Sequence, residues 1–469
     1  MLLTDFYKYI NGKTTAVVGI GISNTPLIEF LLAHGASVTA RDIKTREKLG
    51  DIADSLEAKG VRLITGDDYL EELDEEIIFK APGIRRDKPE FVAAAAKGSR
   101  VTSEMELFFE LCPCKIFAVT GSDGKTTSTT LTYLMLSREL EARGSRAKVY
   151  VGGNIGKPLL PEIENIKPED YAVLELSSFQ LHTMTRSPYA AAITNVSPNH
   201  LNWHTDMNEY IASKENIFLH DGNERLVLNY GCDITRDMYS LSKAEITYFS
   251  AHTKPSLDHA SAAVYLDGED IVYSTKSGSE IIMSRADIKL PGIHNVENYM
   301  TAIALTRGYV SNDTIRSLAR EFGGVEHRCE FVREFDGVKY YNSSIDSSPT
   351  RTEAALRSFN QPLIVICGGY DKHIPYAPLA KPLIDCAKKV VLVGATAPKI
   401  KAALTSCPEY NGSPKIIEAD SFEGAVMSAR DAASQGDIVI LSPASASFDM
   451  FTNFEERGNR FKEIVNSFK

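Results

Sequence analysis

The stretch Ile116-Phe117-Ala118-Val119-Thr120-Gly121-Ser122-Asp123-Gly124-Lys125-Thr126-Thr127 makes three structural statements in a row. Its first five residues are apolar or β-branched and predict a short buried strand. Gly121 and Gly124 bracket a turn. From Thr126 onward Leu131, Leu134, Met135 and Arg138 recur at helical spacing, the first three as an apolar stripe. Strand, glycine loop and helix form the setting in which backbone amides and a helix N-terminus hold a phosphate. Gly121, Ser122, Asp123, Gly124, Lys125, Thr126 and Thr127 are therefore the candidate nucleotide loop. Lys125 would neutralise the outer phosphates of ATP, and Thr126 would offer its hydroxyl to Mg²⁺. The spacing G-x-x-G-K-T is shorter than that of the usual phosphate loop, so the surrounding strand and helix carry the assignment.

On the N-terminal side the chain alternates strands and helices. Thr15-Ala16-Val17-Val18-Gly19-Ile20-Gly21 is a strand entering a glycine turn, and Pro26 to His34 has helical spacing stopped by Gly35. Ser37-Val38-Thr39-Ala40-Arg41-Asp42 is a second strand, and Ile77-Ile78-Phe79-Lys80-Ala81-Pro82-Gly83 a third that ends in a turn. This predicts a doubly wound sheet with its ligand at the carboxyl ends of the strands. Gly19 and Gly21 begin a dinucleotide fingerprint with Asp42 at the right distance, but Asn24 stands where the third glycine belongs. A dinucleotide, another nucleotide on the same turn, and a plain tight turn all fit.

Beyond residue 325, apolar strands at Leu363-Ile364-Val365-Ile366, Val390-Val391-Leu392-Val393 and Ile438-Val439-Ile440-Leu441 are separated by helical stretches. The expectation is an α/β protein of three domains, residues 1–107, 108–324 and 325–469, which suits a length of 469 residues. A net charge of −11 argues against a nucleic-acid partner. The start of the chain lacks a signal-peptide pattern and no apolar run approaches a membrane span, so a cytoplasmic location is expected; the chain is further expected to be a monomer. Seven scattered cysteines, with only Cys112 and Cys114 close together, read as reduced and packed.

The middle domain carries polar clusters at strand ends. Val149-Tyr150-Val151-Gly152-Gly153-Asn154 ends in a small-residue turn. Ala172-Val173-Leu174-Glu175-Leu176-Ser177-Ser178 puts a carboxylate inside an apolar strand, which is costly unless it is paired or bound to metal. Given the phosphate loop upstream, Glu175 reads as a Mg²⁺ ligand. Ala192-Ile193-Thr194-Asn195-Val196-Ser197-Pro198-Asn199-His200 ends another strand in a histidine, with His204 behind it in a structural role. Lys214, in a helical segment at residues 209–219, reads by itself as a surface lysine.

Together these segments resemble the Mur ligases, ATP-dependent amide-forming enzymes of peptidoglycan synthesis, over nearly the whole chain. The match is most specific in Leu174-Glu175-Leu176-Ser177-Ser178-Phe179-Gln180-Leu181 and in Ser442-Pro443-Ala444-Ser445-Ala446-Ser447-Phe448-Asp449 with its continuation to Asn459. These stretches resemble the branch that adds D-glutamate to UDP-N-acetylmuramoyl-L-alanine. The resemblance implies a Rossmann-like N-terminal UDP-binding domain, a central P-loop ATPase-type domain and a Rossmann-like C-terminal domain that brings the amino acid. It assigns Ile22, Ser23, Asp42, Pro82 and Gly83 to the uridine nucleotide, and Asn154, Ser177, Gln180 and His200 to the muramoyl-alanine end. It gives Lys125, Thr126 and Thr127 to ATP and one Mg²⁺. A second Mg²⁺ goes to Glu175 and His200, with Lys214 as a carbamate. Asn298 and Arg328 reach the adenine nucleotide. Ser347, Lys372, Ser447, Phe448 and Phe454 form the D-glutamate site. Another Mur ligase, a folylpolyglutamate synthetase and a phosphate-loop kinase are the alternatives.

One stretch departs from the family. Where its members read Asn-Asp-Ser-Lys, this chain has Asn342-Ser343-Ser344-Ile345, followed by Asp346. Ser348 and Pro349 read as the N-cap and first residue of a helix. Either Asp346 merely completes this turn, or Asp346 or a nearby group such as Tyr341 takes over the missing carboxylate's grip on ATP.

Overall fold

The computed structural model describes residues 1–21 and 24–469. Ile22 and Ser23, assigned above to the uridine nucleotide, lie outside the described residues. The chain forms two compact units, one comprising residues 1–285 and 297–316 and the other residues 286–296 and 317–469.

The first unit holds two sheets. In the N-terminal one, five parallel strands lie in the spatial order Arg62–Thr65, Ser37–Asp42, Thr14–Val18, Ile77–Lys80, Arg100–Thr102. Successive residues feed opposite faces, as the strand period of two requires. Val17, Ile77 and Phe79 pack with Leu27, Leu31 and Phe6 on one side, while Ala16, Val18 and Ile78 pack with Leu70, Leu73 and Phe91 on the other. The helix read from Pro26 runs Asn24–Ala33.

The second sheet has nine strands. Lys115–Thr120 lies between Tyr171–Glu175 and Ala190–Ile193, parallel to both. Val119 is level with Glu175, and Thr120 with Ile193, so the phosphate loop, Glu175 and Thr194 emerge along one carboxyl edge. Val149–Gly153 completes that side. On the other side Arg225–Asn229 and Glu245–Ser250 continue the parallel array. An antiparallel meander of Ala262–Asp267, Asp270–Thr275 and Gly278–Ser284 then ends it. The helix after the loop begins at Lys125, one residue before the position read from sequence, and runs to Ala142. Its buried stripe is Leu131, Met135 and Leu136, with Leu134 only half-buried. The helix predicted at residues 209–219 is Met207–Glu215, N-capped by the Asp206 side chain.

The second unit is built on a six-stranded sheet in the order Glu330–Phe335, Val338–Asn342, Ile438–Leu441, Leu363–Cys367, Ala387–Leu392, Lys415–Glu418. All neighbours are parallel except the first pair. The three strands expected here are present. Pro349 opens the helix Pro349–Leu356 with Ser348 at the N-cap position, but the Ser348 hydroxyl makes no capping bond. Among the described residues no helix is long and apolar enough to cross a membrane.

Candidate active site

The phosphate loop can be made only with glycine at its two corners. Gly121 has φ +148° and Gly124 φ +79°. A Cβ would lie 1.9 Å from Thr194 Oγ1 at the first and 2.4 Å from Asn298 Oδ1 at the second. The loop is braced by the strand end beside it. Asn195 accepts the Ser122 amide on its carbonyl (2.9 Å) and the Asp123 amide on Oδ1 (3.0 Å). Thr194 Oγ1 donates to Asp123 O at 2.5 Å. Ser122 Oγ donates to Ser197 O at 3.0 Å and pairs with Tyr210. Asn298 is buried beneath the loop and accepts from Ser128 Oγ at 3.2 Å.

Two lysines converge on this loop. Lys125 Nζ donates to Gly121 O at 3.0 Å and to Ser122 O at 2.9 Å. Lys214 is no surface lysine: it is 1% exposed, its Nζ donates to Gly121 O at 2.8 Å, and it lies over the Tyr210 ring. Burial, and then the neighbouring Lys125 charge, hold its pKa well below the usual lysine value.

Glu175 stands level with the base of the loop and is buried. Its Oε1 accepts from Asn154 Nδ2 at 2.8 Å, while the buried Oε2 has no hydrogen-bond partner. A buried carboxylate oxygen without a donor is an unpaid electrostatic cost unless a cation meets it. Glu175, the Thr126 hydroxyl and oxygens of a nucleotide are hard donors that suit Mg²⁺. Among the described residues no cluster of three His, Cys, Asp or Glu forms a ready-made cage. Gly153 permits the approach of Asn154, since a Cβ there would lie 2.2 Å from Glu175 O.

His200 is exposed, with φ +56°, and meets Phe179 edge-on at 4.9 Å. His204 is buried against Ser178 Oγ (2.9 Å), and burial lowers its pKa to about 4, which keeps it neutral and structural. Ser177 and Gln180 form a capping box at the start of helix Ser178–Leu181. Asp42 is buried and accepts the amides of Ile20 (2.6 Å) and Lys44 (2.8 Å), so it shapes the glycine turn. Gly83 O, in the turn after Ile77–Lys80, accepts from Trp203 Nε1 at 2.8 Å.

Lys80 and Glu106 were missed in the sequence. Lys80 ends its strand 1% exposed; burial lowers its pKa to about 8, and the Glu106 charge opposes that shift. The signal was available, because a charge after Ile77-Ile78-Phe79 is the same anomaly that singled out Glu175.

In the second unit, Arg457 is buried and spends its guanidinium on Ser344 Oγ, Ser344 O, Ser445 O and Ala446 O at 2.8–3.1 Å. It ties the helix Phe454–Asn466 to the two strand-end loops. Asn342 Nδ2 donates to Glu330 Oε2 at 3.0 Å. Ser343 Oγ accepts the Cys329 amide at 3.1 Å. Asp346 is buried, with its Oδ2 accepting from Ser442 Oγ at 2.8 Å, which ties this turn to the loop after strand Ile438–Leu441. Of the D-glutamate candidates, Ser447 is buried, Ser347 and Phe454 are half-buried, Lys372 is exposed, and Phe448 is 61% exposed against Tyr370. Ser347, Lys372 and Ser447 make no hydrogen bond to one another. Arg328 is half-buried, with its Nε shielded from solvent.

Family models cover most of the chain: "Mur ligase MurD-like, N-terminal domain" matches residues 13–103, "Mur ligase middle domain" 119–306 and "Mur ligase, glutamate ligase domain" 327–445. The chain belongs to the Mur ligase family. Among curated Mur ligases, a UDP-N-acetylmuramoylalanine--D-glutamate ligase of Acetivibrio thermocellus is 51% identical over 99% of this chain and 98% of its own length. The ligase of the same name from Clostridium novyi is 49% identical over the same shares. In fold, the chain is similar to the UDP-N-acetylmuramate-alanine ligase of Thermotoga maritima (TM-score 0.56, 18% identity, 97% of this chain and 100% of that one). It is also similar to a type C pseudomurein peptide ligase of Methanothermus fervidus (TM-score 0.53, 17% identity, 98% and 100%). These two likenesses establish the three-domain α/β architecture of the Mur ligases.

Proposed function

We propose that this Mur ligase joins D-glutamate to UDP-N-acetylmuramoyl-L-alanine, with ATP converted to ADP and phosphate, in peptidoglycan precursor synthesis. The observation that carries this reading is identity of about half the residues, end to end, with relatives of that named activity. The loop geometry supports the ATP half of the reaction.

The carboxylate of the alanyl group is a poor electrophile, being anionic and lacking a leaving group. Transfer of the γ-phosphoryl group to one of its oxygens, with ADP departing, gives an acyl phosphate. The unprotonated amine of D-glutamate then adds to the carbonyl carbon, the nitrogen loses one proton to solvent, and phosphate leaves with the C–O bonding electrons. Both steps bring negative charges together, so the protein's task is largely electrostatic. Lys125 neutralises the transferring phosphoryl group. With the Ser122 and Asp123 amides engaged by Asn195, Gly124 and the first turn of the following helix supply the phosphate-facing backbone, with Thr126 and Thr127 beside them. Thr126 would hold one Mg²⁺, and Glu175, His200 and a carbamylated Lys214 a second. When bound, these ions screen the phosphate charge.

Asn154, Ser177 and Gln180 line the muramoyl-alanine end. Asp42 and the Pro82–Gly83 turn take the uridine nucleotide. Asn298 and Arg328 serve the adenine nucleotide. Ser347, Lys372, Ser447, Phe448 and Phe454 receive D-glutamate, whose two carboxylates suit an ammonium and hydroxyls. The working domains are residues 1–107, 108–324 and 325–469.

Phosphate release measured with UDP-N-acetylmuramoyl-L-alanine, ATP and Mg²⁺ against a panel of amino acids tests the reading. D-glutamate is expected to support turnover. Preference for meso-diaminopimelate, L-lysine or L-alanine would overturn the acceptor, and a stable phosphorylated product formed without any amino acid would indicate a kinase.

A further inference from the structure

Trp203 is the sole tryptophan of the chain, and it joins two segments far apart in sequence. Its indole N–H donates to Gly83 O at 2.8 Å, and the Arg85 guanidinium lies over its ring at 5.0 Å. Arg85 Nη1 also donates to Trp203 O at 2.9 Å. The same guanidinium closes on both oxygens of Glu209, at 2.8 and 3.0 Å, and Glu209 accepts the Thr205 amide at 2.7 Å. The loop from residue 200 to 206 is thus pinned to the turn that follows strand Ile77–Lys80. On its other side the Trp203 ring packs on Phe179 at 4.7 Å, and Phe179 meets the His200 imidazole at 4.9 Å. His200 sits at φ +56°, in the left-handed region that few residues with a Cβ adopt.

We propose that Trp203, clamped by Arg85, is a positioning residue that converts the seating of a uridine diphosphate group at the Pro82–Gly83 turn into the placement of the His200 imidazole. The inference rests on the assignment of that turn to the uridine nucleotide. Its physical basis is the stiffness of the path. A direct hydrogen bond fixes the indole to the turn, and two planar rings in contact leave little slack between the indole and His200. A ligand that orders the turn therefore orders the imidazole, and the two sites gain a coupling free energy. Arg85 serves because a bidentate guanidinium holds Glu209 and the ring face at once, which an ammonium cannot do.

The single tryptophan makes the inference measurable without turnover. UDP is titrated into the full-length protein while tryptophan emission and binding heat are recorded. The emission is expected to change saturably, with the same midpoint as the heat. Trp203→Phe keeps a ring against Phe179 and removes the indole donor. It is expected to lower kcat about tenfold and to raise the Mg²⁺ concentration giving half-maximal rate, with the affinity for UDP measured without Mg²⁺ within about twofold of the parent. Arg85→Lys, which keeps the charge, is expected to lose activity in the same pattern and guards against a folding defect in the first variant. UDP binding that leaves the emission unchanged, with unaltered kcat and Mg²⁺ dependence in both variants, would overturn the proposal. Variants that lower only the melting temperature would overturn it too. Absence of any UDP binding heat would instead remove the nucleotide assignment of the turn, and the proposal with it.

Discussion

Lys125 and Lys214 share one acceptor: both ammonium groups donate to the carbonyl of Gly121, at 3.0 and 2.8 Å. Burial, and then the like charge of Lys125, hold the Lys214 pKa well below the usual lysine value. The phosphate loop thus holds next to its first glycine an amine biased toward its neutral form. That is the form whose lone pair attacks CO₂ to give a carbamate and release a proton. The modification would replace a like charge beside Lys125 with an anion.

The first prediction follows from this pairing. Activity should fall when bicarbonate and CO₂ are stripped and return when they are restored. Lys214→Ala should lose on the order of 10²–10³-fold in kcat, and short-chain carboxylic acids should restore part of it. Lys214→Arg should not recover activity, since a guanidinium cannot be carbamylated. Bicarbonate-independent turnover, with an unmodified ammonium in a crystal of the nucleotide-bound enzyme, would count against the carbamate.

Lys125→Ala separates holding from transfer. With the charge gone, kcat should drop by roughly 10²–10³-fold, as for loss of one preorganised electrostatic contact. Calorimetric affinity for UDP should be unaffected, because Lys125 contributes to none of the strands of the N-terminal sheet. A near-normal kcat would move phosphoryl transfer away from this loop.

Much of the frame was legible in the sequence because period and punctuation agreed. Strand Ile438–Leu441 was read to the residue, and the loop glycines announced the turn that their φ values require. The antiparallel meander at residues 262–284 was passed over, although Asp267-Gly268 and Ser277-Gly278 carry turn signals. Lys214 could not be read locally. Its helix exposes other positions, and only tertiary packing against Tyr210 and Gly121 O buries it. The bracing by Asn195 and the clamp at Trp203 depend on strand-end proximity, which spacing along the chain does not encode.

Lys372 is exposed in the loop after strand Leu363–Cys367 and is the one charged residue among the D-glutamate candidates. Lys372→Ala should raise the KM for D-glutamate about tenfold to a hundredfold, the usual effect of losing a charge-assisted hydrogen bond, with the KM for ATP little changed. An equal rise in both constants would assign Lys372 to the nucleotide.

The last prediction concerns Asp346, the acid that follows the departure at Ser343 and Ile345. Burial pushes its carboxyl from 3.8 up to about 6, while bonds from Ser343 and Ser442 pull the other way. A carboxyl that binds its proton more tightly folded than unfolded contributes most stability below pH 3.8. It loses that contribution as the pH rises through about 6. Near neutral pH the fold therefore bears a buried charge, worth at most about 3 kcal/mol for a shift of this size. Asp346→Asn removes the charge and keeps an oxygen that accepts from Ser442. Its melting temperature should exceed that of the parent at mildly alkaline pH, and the gain should vanish or reverse in acid. The Tyr341 ring and the helix Pro349–Leu356 are unchanged by this substitution, so the KM for ATP separates the two roles weighed for this acid. A KM within twofold of the parent fits a structural carboxylate held by Ser442. A large rise in KM, with the pH dependence of stability unaltered, would mean that Asp346 reaches the nucleotide during turnover and that its bond to Ser442 is not its working state.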